Sequence, residues 1–208
     1  MITMTNEIRL KGIICNIQPS HTIGEIQYDK ADLIVKRIDG REDVLDLRFK
    51  KFCNPYKDGQ EICLKGNIRS FSKQVTEGHN KVEVYVFTYF DIPELNEEDK
   101  EDVNTFEVIG DICKIDAPHI TKNGKRKTHF IVANNITTQS QSLNSYLPCI
   151  SWGKYAKQIE KLSVGDTVKI GGQLHSREYT KTLSTGETEI RVAHELTVTS
   201  IEKIYNAV

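Results

Sequence analysis

Apolar and polar residues alternate along this chain in short runs separated by turn residues. Residues 7–17, EIRLKGIICNI, set Ile8, Leu10 and Ile14 on one face with Gly12, which predicts a half-buried strand that bends or bulges at the glycine. Residues 18–30 are turn-rich and carry no clean period. A second strand over 32–38 closes at Asp39–Gly40, a hairpin signal, and a third covers 44–49. Between them and Gly59, Pro55 limits any helix to a single turn. The fourth strand, 61–73, points Ile62, Leu64 and Ile68 inward and Lys65, Asn67, Arg69, Phe71 and Lys73 outward. The fifth, 81–90, has Val82, Val84 and Val86 on one face and Tyr85, Phe87 and Tyr89 on the other.

After residues 94–103, an acidic and polar linker, the pattern starts over. FEVIGDICKI (106–115) matches IRLKGIICNI (8–17), and GDTVKIGGQL (165–174) matches GQEICLKGNI (59–68). Lys122–Asn123–Gly124–Lys125 is a hairpin turn, and 136–144 reads as a polar loop. The strand 146–152 sets Tyr146, Pro148, Ile150 and Trp152 on one face. A helix over 153–162 follows, with Tyr155, Ala156, Ile159 and Leu162 at helical spacing. Beyond Gly165–Asp166, the strand 167–179 points Val168, Ile170 and Leu174 one way and Lys169, Gln173, His175, Arg177 and Tyr179 the other. The closing strand, 187–204, is expected to turn Ile190, Val192, Leu196 and Val198 inward. Five short strands per copy predict an all-β chain of two five-stranded OB-fold barrels in tandem, at 1–93 and 104–208. A short helix is expected between strands 3 and 4 of the second.

Charge changes the picture less than its placement does. The 208 residues carry a formal net charge of −1, which alone argues against a nucleic-acid partner. Six acids and one lysine, however, fall between Glu94 and Asp102, and residues 103–208 hold 13 Lys and Arg against 10 Asp and Glu. A binding groove needs only a basic surface. Five cysteines with no CxxC pair predict neither a disulfide framework nor a zinc site, and they fit a reducing cytoplasm. The start lacks the apolar block of a signal peptide, and no run is long enough to span a membrane. Six scattered histidines give no metal-ligand spacing. No phosphate loop, nucleophile elbow or paired-carboxylate motif is present, so neither an enzyme nor a cofactor is expected.

The outward faces carry the candidate chemistry. Cations hold phosphates and flat rings stack on unpaired bases, which predicts a single-stranded nucleic-acid surface. In the second copy its members are Tyr146, Trp152, Lys169, His175, Arg177 and Tyr179, with Lys122, Lys125, Arg126 and Lys127 as a cationic hairpin finger. In the first they are Lys65, Arg69, Phe71 and Lys73. Packing of Trp152 inside the barrel or under the helix stays open. So does a merely solvated charged loop at 122–127. Tyr85, Phe87 and Tyr89 fit a protein interface or barrel packing better than bases.

These residues carry a resemblance. FEVIGDICKI, NGKRKTHFIVA, SWGKYAKQIEKLSVGDTVKIGGQLHSREYT and EIRVAHELTVTSIEKI together resemble the bacterial and phage single-stranded DNA-binding (SSB) family over about residues 104–204. The first copy joins through the internal repeat and lacks the Gly-Lys-helix motif. The resemblance implies base stacking at Tyr146, Trp152 and Tyr179, a phosphate contact at Lys154, and looser counterparts at Phe49 and Phe71. It implies sequence-independent binding of single-stranded DNA in replication or recombination. The family assembles four OB folds, so a homodimer of this chain would suffice. The family's acidic tail has no counterpart in IEKIYNAV, so its recruiting role is not expected. Primosomal OB proteins that chiefly hold other proteins are the alternative, and RNA in place of DNA stays open.

Overall fold

The computed structural model describes residues 3–51, 56–75, 79–88, 103–137, 142–183 and 185–205. The first unit contains β1 (Asn6–Ile23), β2 (Ile26–Lys36), β3 (Glu42–Lys50), β4 (Glu61–Val75) and β5 (His79–Thr88). The second contains β6 (Asn104–Ile115), the short β7 (His119–Ile120), β8 (Arg126–Thr137), β9 (Ser142–Trp152), the helix α1 (Gly153–Ile159), β10 (Thr167–Thr182) and β11 (Thr188–Lys203). In the first unit β1 pairs with β2, β2 with β3, β3 with β5, β5 with β4, and β4 with β1, so the strands close on themselves. The second repeats this circuit as β6, β8, β9, β11, β10 and back to β6. In each, the pairing of the third strand with the fifth is the parallel one. This is the five-stranded OB plan, twice.

Alternation fills each interior. Ile8, Leu10, Leu33, Leu45, Leu47, Leu64 and Ile68 are fully buried in the first unit, and Val108, Ile112, Phe130, Val132, Leu147 and Ile159 in the second. Ile159 comes from α1, which packs on β8, β9 and β11. Gly12 and Gly110, matched in the repeat, sit where another strand crosses closely. A Cβ at Gly12 would lie 2.4 Å from the Ile34 carbonyl oxygen, and one at Gly110 2.5 Å from that of Ala133. Only glycine lets β1 and β6 coil from one partner to the next there.

The two units share one continuous eleven-stranded sheet, because β1 pairs antiparallel with β6. Ile8 faces Phe106 in that ladder. The repeat also makes Ile8 and Phe106 equivalent, so a local two-fold axis passes through the pair. Asparagines flank it symmetrically. Asn6 accepts the Ile68 N–H (2.8 Å) and donates to the Ile68 carbonyl (2.7 Å). Asn104 does the same with Leu174, at 3.0 and 2.7 Å.

Four expectations change. Residues 18–30 are the arms of the β1–β2 hairpin, turning at Gly24–Glu25. Strands β8 and β9 pair out to Thr137 and Ser142, which shortens the expected 136–144 loop. The helix ends at Ile159 rather than 162. Ile190 and Val192 are not core residues: Ile190 is 72% exposed. The β10–β11 ladder runs on to Thr182 and Thr188 as an arm beyond the barrel, where there is no interior to face. Of the expected linker, all but Val103 lies outside the described residues; the Lys11 N–H donates to the Val103 carbonyl at 2.8 Å.

Candidate nucleic-acid interface

Parity along β9 decides its two faces. Leu147, Cys149 and Ser151 turn inward and are buried, while Tyr146 (53% exposed) and Trp152 (37%) project outward at its two ends. Six residues at about 3.3 Å each place the rings roughly 20 Å apart on one surface. Between them lie Pro148 and Ile150. On the neighbouring strand, Lys127 pairs with Trp152 and His129 with Ile150, so both join this outer face. The Lys127 ammonium lies 5.9 Å from the centre of the Trp152 ring. Burial pushes the His129 imidazole below its usual value, which leaves it neutral at pH 7 and suited to stacking. Sequence reasoning missed His129. Its signal was its place opposite Phe130 in the alternation of THFIVA.

The arm adds to the same surface. Tyr179 lines a pocket of about 380 Å³ together with Pro148 of β9. Arg177 lines an adjoining groove with Ile150 and Trp152. Arg177 pairs with Glu195 (3.2 Å) and lies 5.7 Å from the Tyr179 ring. Lys122 and Lys125 are exposed on the Thr121–Lys125 turn, just ahead of β8, and neither meets a carboxylate among the described residues.

The other cations are committed elsewhere. Arg126 binds Glu160 with both nitrogens (2.7 and 2.8 Å), tying β8 to the turn after α1 rather than standing free on the finger. The Lys154 ammonium lies 4.8 Å from the Tyr155 ring centre. Lys65 pairs with Glu7 at 2.6 Å and Lys169 with Glu107 at 2.9 Å. Glu7 and Glu107 are direct partners across the β1–β6 ladder, so these two lysines neutralise like charges at the unit junction, away from β9. The Lys65 hydrogen bond leads the causes that hold the Glu7 carboxyl below its usual range.

Phe49 is corrected. It is 2% exposed, packed edge-on against Tyr56 with ring centres 5.5 Å apart, and unavailable to a base. Its strand points odd-numbered residues into the barrel, so Arg48 takes the outer position. The Arg48 guanidinium lies 4.7 Å from the Phe71 ring centre and 4.2 Å from that of Tyr85. Arg69 lies 4.2 Å from the centre of the Phe87 ring. The rings of the first unit are therefore layered with its own arginines. The side chain of Lys73 and all of Tyr89 lie outside the described residues.

His175 is held at the junction of the two units. The Asp43 carboxylate, fully buried, accepts from His175 Nδ1 (2.9 Å), Arg37 Nε (2.7 Å) and the Ser176 N–H (2.6 Å). Burial pushes the Asp43 carboxyl up, but its bonds from His175, Arg37 and Ser176 outweigh this and leave it well below the usual aspartate range. The free edge of β3 is capped beside it: Ser176 Oγ accepts the Val44 N–H (2.9 Å), and His194 Nε2 donates to the Val44 carbonyl (2.8 Å). The two-fold counterpart is Ser70 Oγ, which accepts the Tyr146 N–H at 2.8 Å. That bond fixes the start of the exposed β9 face against the first unit.

Residues 103–203 match the model of the Single-strand binding protein family. No curated protein matches the chain. Among solved structures, the wild-type single-stranded DNA binding protein from Thermus aquaticus is 16% identical, with a TM-score of 0.70 over 100% of this chain and 96% of that one. A deletion variant of the same Thermus aquaticus protein is also 16% identical, with a TM-score of 0.72 over 100% of this chain and 98% of that one. The whole chain thus shares the fold of those proteins, and its residues 103–203 match the single-strand binding protein family.

Proposed function

We propose that the chain binds single-stranded DNA without sequence preference, chiefly through the outer face of β8 and β9 in its second unit. The observation that carries this reading is the pair Tyr146 and Trp152, projecting from one side of a single strand within the family-matched residues. OB folds bind oligonucleotides on the face of their second and third strands, flanked by the loops between strands 1 and 2 and between strands 4 and 5. Here that face is β8–β9. The flanking parts are the Lys122–Lys125 turn and the β10–β11 arm with Arg177 and Tyr179. Rings take bases, and the free lysines take phosphates.

The reading extends to protection or organisation of single strands during replication or recombination. The expected units are 1–93 and 104–208 about an acidic linker, and a homodimer would bring four OB units together. The first unit is a weaker site, because a base must there displace or stack on Arg48 and Arg69. Fluorescence anisotropy with labelled oligo-dT, matched RNA and duplex of equal length tests the proposal. It expects tight, salt-sensitive binding to the DNA single strand and weak binding to duplex. Equal affinity for single strand and duplex would overturn it, and preference for RNA would reassign the ligand.

A further inference from the structure

A groove of about 640 Å³ lies where the second unit meets the β2–β3 turn of the first. One wall is Ile150 and Trp152, and the other includes Arg41 from that turn. We infer that this groove is a nucleotide subsite built by both units, in which Trp152 stacks a base while Arg41 holds the adjoining phosphate. The inference rests on the single-strand reading above and adds to it a residue from the other unit.

Three observations carry it. First, Trp152 is partly exposed and borders open space on the side that faces the first unit, rather than only the free face of β9. Second, Arg41 is the available cation of the turn. Arg37 is consumed by the buried Asp43 carboxylate, whereas the Arg41 side chain is 70% exposed and, among the described residues, pairs with Asp39 alone, itself half exposed, through two nitrogens at 2.5 and 2.9 Å. An exposed pair of this kind contributes little and yields readily to a phosphate. Third, the turn is held in place. The buried Arg37–Asp43–His175 cluster and the Val44–Ser176 bond pin both ends of the hairpin to β10. The turn that carries Arg41 is thereby held at the groove that Trp152 also lines, rather than left as a free loop. Three acids, Glu42, Glu178 and Glu195, line the groove with Arg37, Arg41 and Arg177, and Glu195 is paired with Arg177.

The consequence is a path: a strand leaving Tyr146 and running along β9 past Trp152 crosses onto the first unit at Arg41. Arg41→Gln tests it with the full chain, read by anisotropy against labelled oligo-dT of about 30 nucleotides, enough for two OB units at ~4–16 nucleotides each. Loss of one phosphate contact lowers affinity roughly three- to tenfold at low salt and reduces the slope of log K against log salt by about 0.7. Arg41→Lys restores most of both. Lys161→Gln, an exposed cation outside the groove, leaves both unchanged. If Arg41→Gln binds with the affinity and salt slope of the unaltered chain, the shared subsite is wrong while single-strand binding stands. If the unaltered chain does not bind oligo-dT at all, the parent reading fails and takes this one with it.

Discussion

Alanine at Trp152 and at Phe49 should separate binding from folding. Both are aromatic residues on third strands of equivalent barrels, and their positions in the strand decide what each does. Trp152→Ala and Tyr146→Ala should each cost about 1–3 kcal/mol of affinity for oligo-dT, the usual contribution of a stacked ring, with little change in urea midpoint. Phe49→Ala should cost about 3–5 kcal/mol of stability by emptying a core site, and leave the affinity of the folded fraction nearly intact. Paired urea melts and binding curves check both. A binding defect in Phe49→Ala without loss of stability would contradict its burial. Phe49 enters as a base platform only through the family resemblance, as a loosely registered counterpart in the first copy. The alternation of VLDLRF already placed it with Val44's inward neighbours Leu45 and Leu47, and the looser repeat registration obscured that.

At the scale of elements, alternation made β4, β6, β9 and the barrel half of β10 legible, because each has one buried and one solvated face. It misled on β11, where Ile190 and Val192 continue an apolar pattern into an arm with no core beneath it. Contacts between elements far apart in sequence left no such trace. Asp43 and His175 are 132 residues apart, and nothing in either neighbourhood announces the other. Their junction predicts a pH response. Because the folded Asp43 carboxyl is depressed below the usual aspartate range, its stabilisation is present above that range and is lost as pH falls through its lower folded value. Urea stability measured from neutral pH into acid should therefore fall less steeply for Asp43→Asn than for the unaltered chain. Equal acid slopes would show that Asp43 is not the group responsible.

The molecule as a whole is one OB plan used twice around a local two-fold axis. The repeat 8–17 against 106–115 showed the duplication, and in the β1–β6 ladder the N-terminal halves of the two first strands, each paired within its own unit on one side, cover each other on the other. The repeats also foretold a likeness of surfaces that the structure divides. The second unit leaves Tyr146 and Trp152 open, whereas the first covers Phe71, Tyr85 and Phe87 with Arg48 and Arg69. With a net charge of −1, binding depends on this local arrangement rather than on the overall field. Trp152 is the chain's single tryptophan, so its emission reports directly on the β9 face. Titration with oligo-dT should quench that emission saturably, duplex of the same length should not, and added salt should reverse the change. Unaltered Trp152 emission while oligo-dT binds would place the DNA elsewhere and contradict the account.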